Sequence, residues 1–305
     1  MKNPRLITYS AVILSMVFWS LSFIWYKVVY LYYNPITVVL FRLIISSALL
    51  AFFSLIFKKL QKIRGSELKV ILLLAFLEPF MYFIGESFGI RLVSSTVAAV
   101  IISTIPLFSP LAARYFLNEQ LTRMNYAGIL ISIIGVILVI FDDRLAFSAS
   151  LPGVILMALA VLAAVFYSVV NLRLSTKYNV VTIITYQNAI GVIFFFPLFL
   201  VFESESVKYA EFSVRSLIPL FELAIFASTL AFLFFTYSLK YLGISKANVF
   251  VNLIPVFTAI FAYFLIDEKF TLLKLSGILV VILGLFVSQV KPAYMNFFSG
   301  QTKTR

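Results

Sequence analysis

About ten runs of roughly 20 apolar residues follow one another along this chain, each long enough to cross the hydrocarbon of a bilayer as a helix. They lie near 8–30, 36–57, 68–90, 94–117, 123–141, 151–174, 180–202, 216–240, 244–266 and 271–290. In lipid every backbone N–H and C=O must find a partner within the protein, which restricts spanning structures to helices and closed barrels. Barrel strands would show as short alternating segments, and none are present. The chain therefore reads as an all-α integral membrane protein with ten transmembrane helices. The breaks carry turn and charge signals, as at Asn34-Pro35, Lys58 to Lys69, Asp142-Asp143-Arg144, Glu203 to Arg215 and Asp267-Glu268-Lys269. No connection is long enough to fold as a soluble domain.

Composition agrees and closes off several chemistries. Hydrophobic residues make up 63% of the chain and charged residues 12%, too little polar surface to face water all round. The chain has no cysteine and no histidine, which removes disulfides, thiol nucleophiles, Cys/His metal sites and histidine proton relays. No metal or cofactor is expected. No Walker A run, Gly-rich dinucleotide loop or serine elbow is visible, so ATP hydrolysis within the chain is not expected. The net charge of +12 fits basic cytoplasmic loops better than nucleic-acid binding, because the charges sit in short links between apolar spans. The first apolar stretch is too long for a signal-peptide core and lacks a small-residue cleavage site, so it reads as a retained span.

Residues 91–140 recur at 240–289 without a gap. Pro106 falls on Pro255, Glu119 on Glu268, Thr122 on Thr271, Gly128 on Gly277 and Gly135 on Gly284, with Ala98/Ala247, Ile105/Ile254, Phe108/Phe257 and Ala113/Ala262 between. Shorter matches pair Phe18-Trp19-Ser20 with Phe166-Tyr167-Ser168, and set Arg42 opposite Gln187. Five spans per repeat is an odd number, so the second half must enter the membrane upside down. The expected units are a first repeat over 1–145, an inverted second over 146–290 and a cytoplasmic tail over 291–305, with a shared site where they meet. Of 24 Lys and Arg, Arg42 lies within a span. With the N-terminus inside, only Lys27, Arg91, Arg144, Lys208, Arg215, Lys269 and Lys274 fall outside, and all the others are cytoplasmic. Both termini are then cytoplasmic.

These features resemble the drug/metabolite transporter superfamily in its EamA-like branch. The resemblance rests on a proline-centred apolar run, an acidic residue and a Gly-spaced helix. It reads IISTIPLFSPLAARYFLNEQLTRMNYAGILISIIGVILVI and again VNLIPVFTAIFAYFLIDEKFTLLKLSGILVVILGLF, with Arg42 early in the second span. It covers essentially all of residues 8–290. It implies a bacterial inner-membrane carrier of ten spans in two inverted repeats, exporting amino acids, metabolites or toxic compounds by alternating access. One departure is the third span, LEPFMYFIGESFGI, where Glu78 and Glu86 replace apolar or small residues.

A charge at mid-bilayer costs about 2.5–3.5 kcal/mol on insertion scales, so intramembrane ionisable residues are functional candidates. Glu78 lies about 15 Å into its span, and Tyr82 and Glu86 follow at spacings of four, so all three share a face. Pro79 frees a backbone carbonyl one turn earlier, as suits a kinked helix beside a cavity. Glu78 or Glu86 would bind a proton or a cationic group; the alternative is an interhelical hydrogen bond from a protonated carboxyl. Arg42 would either hold a substrate carboxylate or pair with Glu78 or Glu86. Lys27 reads as snorkelling at the end of its span.

Asn248, Asn252 and Pro255 are spaced by four and three, matching Ala99, Ser103 and Pro106 in the fourth span; both prolines would open the helix toward a cavity. Ser15, Trp19, Ser22 and Tyr26 lie within about a 60° arc, and Tyr167 and Asn171 are one turn apart. These faces, with Gln187, would enclose an aromatic-lined small-molecule site. Tyr26, Tyr30, Tyr32 and Tyr33 also fit an interfacial aromatic belt. Glu119 and Glu268 fit helix caps, and the paired glycines fit close helix contacts.

The function expected is secondary active export of a small amphipathic metabolite such as an amino acid, with proton exchange through Glu78 or Glu86. The alternatives are a cationic drug exporter and a uniporter or channel-like facilitator. A membrane-embedded enzyme would need a cluster of nucleophile, base or metal ligands, and none is visible.

Overall fold

The computed structural model describes residues 4–117, 122–140, 149–210 and 212–289. The expectations attached to Glu119, Asp142, Asp143, Arg144, Glu211 and the tail 291–305 lie outside the described residues. All regular structure among the described residues is helical, in keeping with the demand of lipid for internally satisfied backbone.

The chain runs through α1 (Pro4–Val29), α2 (Pro35–Ile56), α3 (Leu68–Ala75) and, after a wider π-helical stretch at Phe76–Met81, α4 (Tyr82–Leu92). Next come α5 (Ser95–Ile102), α6 (Ile105–Leu117), α7 (Arg123–Ile140), α8 (Leu151–Ser175), α9 (Val180–Phe202) and the short α10 (Ser204–Val207). A second π-helical stretch, Leu223–Leu230, joins α11 (Val214–Glu222) to α12 (Ala231–Leu242). The last segments are α13 (Ile244–Val249), a 3₁₀ turn at Phe250–Asn252, α14 (Leu253–Ile266) and α15 (Leu272–Gln289).

Seven of these segments, taken across their interruptions, are long and apolar enough to cross a membrane, and shorter apolar helices lie at Tyr126–Ile140, Phe250–Ile266 and Leu272–Gly284. Large apolar side chains such as Phe52, Leu200, Val201 and Phe264 point outward, as lipid-facing surface requires. Ser95–Phe116 is by contrast the most enclosed, with 88% of its apolar window buried.

The interruptions follow local chemistry. Proline is tolerated in a first helical turn, where its missing N–H would have no partner. Accordingly α6 restarts at Ile105, just before Pro106, and α14 restarts at Leu253, two residues before Pro255.

Two helix pairs are tightly joined. A Cβ added to Gly135 of α7 would stand 2.6 Å from the Val281 backbone nitrogen of α15, and one on Gly277 would stand 2.9 Å from the Gly135 carbonyl oxygen. Only backbone without side chains lets these two helices approach so closely. The other pair, α2 and α9, is tied at both ends. At one end the Glu203 carboxylate accepts from the amides of Ile36 (3.1 Å) and Thr37 (2.7 Å) and from the Thr37 hydroxyl (2.8 Å), capping α2 with a residue that follows α9. At the other end Asn179 caps α9 and donates to the Lys59 carbonyl at 2.6 Å, while the Gln61 amide donates to Thr182 Oγ1 at 2.9 Å. Lys177 pairs with Glu67 beside it.

Candidate functional site

Pro79 cannot donate a backbone hydrogen bond, and it stands inside the first π-helical stretch. The residue before it, Glu78, leaves helical geometry altogether, with φ −148° and ψ 120°. This extended step is larger than the kink expected from sequence. It is supported from α9, where a Cβ on Gly191 would fall 2.3 Å from Pro79 Cγ. Regular helix resumes at Tyr82; Tyr82 and Glu86 lie one turn apart on it, and Glu78, outside it, lines the same cavity.

That cavity encloses about 50 Å³ in this conformation. Its charged groups are Arg42, Glu78 and Glu86; Trp19, Tyr82, Phe83, Tyr167, Phe232 and Phe235 supply aromatic walls. Ser22, Ser168 and Asn248 add polar groups, and Ile102, Ile105, Val251 and Ile254 close the apolar side. A drug-sized ligand site occupies about 300 Å³ or more, so the space here is smaller than such a site. Residues from both sequence repeats form the wall.

Arg42 is 2% exposed. Its Nε donates to Ser228 Oγ at 2.6 Å, its Nη1 donates to the Tyr26 hydroxyl, and its Cζ stands 4.3 Å from the Phe83 ring centroid. Tyr26 in turn donates to Glu86 Oε2 at 3.0 Å, and Tyr82 donates to Glu86 Oε1 at 2.9 Å. Arg42 is therefore linked to Glu86 through Tyr26 and makes no ion pair within 4 Å with either carboxylate. Glu78 differs: it is 5% exposed, lines the cavity and has no hydrogen-bond partner among the described residues.

A neutral cluster stands behind the opposite wall. Tyr167 donates to Gln187 Oε1 at 3.0 Å, and Asn171 Nδ2 donates to Tyr167 (3.0 Å) and Thr236 (3.1 Å). Next to Ser228, Asn188 donates to Ser46 Oγ at 2.8 Å and to the Ser228 carbonyl at 3.2 Å, and Ser46 bonds Thr229 at 2.6 Å. Ser228, Asn188, Ser46 and Thr229 were not singled out from sequence. Their only signal was small polar residues within apolar runs, which ordinary helix packing also produces.

Of the residues expected at the site, Trp19, Arg42, Glu78, Tyr82, Glu86, Tyr167 and Asn248 line the cavity. Tyr26, Asn171 and Gln187 are fully buried behind it rather than in its wall. Ser103 and Asn252 do not reach it. Ser103 donates to the Val100 carbonyl at 2.7 Å at the break before α6, and Asn252 closes the 3₁₀ turn before α14. Pro79, Pro106 and Pro255 mark helix interruptions and contribute no lining atoms.

Other expectations need correction. Tyr26 and Tyr33 are buried, Tyr33 bonded to Ser216 at 2.9 Å, so they do not form an interfacial belt. Lys27 is part-buried at the end of α1, where its ammonium donates to the carbonyls of Ile90 (2.6 Å) and Val93 (2.5 Å), closing the C-terminus of α4. The cap of α15 is Thr271, which accepts from the Lys274 amide at 3.2 Å, and Glu268 takes no part in it. No group of three or more His, Cys, Asp or Glu able to hold a metal occurs among the described residues.

Comparison with known proteins places this geometry in context. The sequence matches the EamA-like transporter family over residues 6–141 and again over residues 151–289. It is 27% identical over 274 residues to an uncharacterized transporter of Archaeoglobus fulgidus, covering 90% of this chain and 95% of the relative. Similarity to the uncharacterized transporter YdfC of Bacillus subtilis is 28% over 267 residues, covering 87% of this chain and 85% of that one. These relatives are named as transporters and not as enzymes. A crystal structure with 14% identity superposes with a TM-score of 0.67, covering 93% of this chain and 96% of that chain, a likeness of fold alone.

Proposed function

The chain belongs to the EamA-like transporter family, a multi-pass membrane transporter by that membership, and on this premise we propose that it is a secondary carrier working by alternating access around the cavity at Glu78. Its load is a small amphipathic metabolite, with amino acids the first class to test. The carrier moves it outward across a bacterial inner membrane. Ten crossings in two inverted halves, 1–145 and 146–290, with both termini cytoplasmic, form the scaffold of this reading. Supporting it are the duplicated sequence and the basic bias toward one side.

The observation that carries the proposal is the unpartnered Glu78 carboxyl, buried in the wall of a cavity to which both halves of the chain contribute. A buried carboxyl with no partner needs a proton or a cation before it is satisfied, which suits a site that loads and unloads. Glu78 is thereby the exchange group, and Glu86, already holding two tyrosine hydroxyls, is the fixed one.

The test is purified protein in proteoliposomes, screened for counterflow of amino acids, nucleosides and organic cations with and without a pH gradient. Saturable counterflow that responds to the gradient is expected. Flux that fails to saturate and shows no counterflow would make the protein a channel. Tags on the two chain ends check the topology, and ends on opposite sides would sink it.

A further inference from the structure

The charges in the cavity wall point to the kind of molecule it admits, given the carrier reading. The wall holds one guanidinium, Arg42, and two carboxyl groups, Glu78 and Glu86. Arg42 and Glu86 already balance one another through the Tyr26 hydroxyl that both engage. A bidentate grip on a carboxylate uses either Nε with one terminal nitrogen or the two terminal nitrogens together. Here Nε is engaged by Ser228 and one hydrogen of Nη1 by Tyr26; Nη2 has no partner among the described residues, but the charge it carries is already balanced by Glu86. The group left without a counter-charge is the Glu78 carboxyl, facing a space walled by Trp19, Tyr167 and Phe232. Aromatic faces attract cations through their ring quadrupoles and repel anions.

We propose that the cavity takes a molecule of one net positive charge, a primary or secondary ammonium on a small apolar body, with Glu78 as its counter-charge. A zwitterion such as an amino acid enters together with a proton on Glu78, because its carboxylate would otherwise add a negative charge to a wall whose one guanidinium is already balanced by Glu86. A free carboxylate is rejected. The titratable and charged groups in the wall around Glu78 are Arg42, Tyr82, Glu86 and Tyr167, and the first three are joined in one hydrogen-bonded set. Of the two carboxyls, Glu78 is the one that no hydrogen bond among the described residues holds.

The two tryptophans of the chain allow a local readout, since Trp19 stands in the cavity wall and Trp25 does not. In the full chain carrying Trp25→Phe, Trp19 fluorescence is titrated with butylamine, 2-aminobutyrate and butyrate, three probes of similar body and different charge. A saturable response to butylamine, none to butyrate, and a response to 2-aminobutyrate that strengthens as pH falls are expected. Glu78→Gln is expected to weaken butylamine by about tenfold to a hundredfold, the loss of one charged hydrogen bond, and Glu78→Asp to retain it. If the Gln variant fails to fold, the contrast between amine and carboxylate in the parent protein decides. A butyrate response equal to that of butylamine, or no saturable response to any probe at millimolar concentration, overturns the proposal. Butylamine binding without butylamine counterflow in proteoliposomes would remove the carrier reading and leave this one standing. Butyrate counterflow would do the reverse.

Discussion

Arg42 and Glu86 do not touch: the Tyr26 hydroxyl stands between them, receiving from the guanidinium and donating to the carboxylate at 3.0 Å. Each of the two groups has one other hydrogen bond, Arg42 to Ser228 and Glu86 from Tyr82, so the Tyr26 oxygen supplies half of what holds them. Tyr26→Phe is expected to leave both charges short of a partner and to destabilise the protein by about 1–3 kcal/mol. A fall in the melting midpoint of the detergent-solubilised protein checks this. An unchanged midpoint would mean that water replaces the hydroxyl at no cost.

Gly191→Ala tests how Glu78 is positioned. The added methyl would fall 2.3 Å from Pro79 Cγ, so the proline ring and the extended step beside it must shift. Overpacking of this kind costs about 1–3 kcal/mol. Counterflow is expected to drop more steeply than the melting midpoint, because the displaced residue adjoins the exchange group. Equal losses in both would reduce Gly191 to a packing role.

Gly135→Ala should act in the opposite pattern. Its methyl would meet the Val281 backbone nitrogen at 2.6 Å, far from the cavity wall, forcing α7 and α15 apart. Destabilisation of about 1–3 kcal/mol is expected, with the butylamine response of surviving protein unchanged. Thermal melting and the Trp19 titration, run on the same preparation, separate the two effects.

Glu203→Ala removes three hydrogen bonds from the first turn of α2. Loss of a helix cap costs about 0.5–2 kcal/mol, and Glu203→Gln, which keeps one acceptor oxygen, should lose less. The order parent, Gln, Ala in melting midpoint is the expected result; Gln and Ala falling together would show that the charge on the helix end matters more than the hydrogen bonds.

Helix positions were legible because an apolar run of bilayer length fixes its structure without long-range information, and the boundaries of α2, α8 and α9 follow their runs closely. The pairing of Tyr82 with Glu86 on one face followed from spacing, whereas Glu78 reaches the same cavity through an extended step that spacing does not record. Partners were harder to read. That Arg42 meets Ser228 and Tyr26 rather than a carboxylate depends on how four helices dock, and no local pattern records it. Asn252 shows where periodicity itself failed. Counting four residues on from Asn248 assumes about 100° per residue, but the intervening 3₁₀ turn advances about 120° and rotates Asn252 away from the cavity. Ser103 failed for a related reason, since α5 ends at Ile102 and the helical phase restarts at Ile105.

The ties at both ends of α2 and α9 bear on how the cavity could widen. A pair of rods pinned at top and bottom can lean together but cannot scissor. On the proposed carrier reading, a step that exposes Glu78 to one aqueous side would slide this strut as a whole past its neighbours, or part those neighbours from it, while the Glu203 and Asn179 fastenings stay shut.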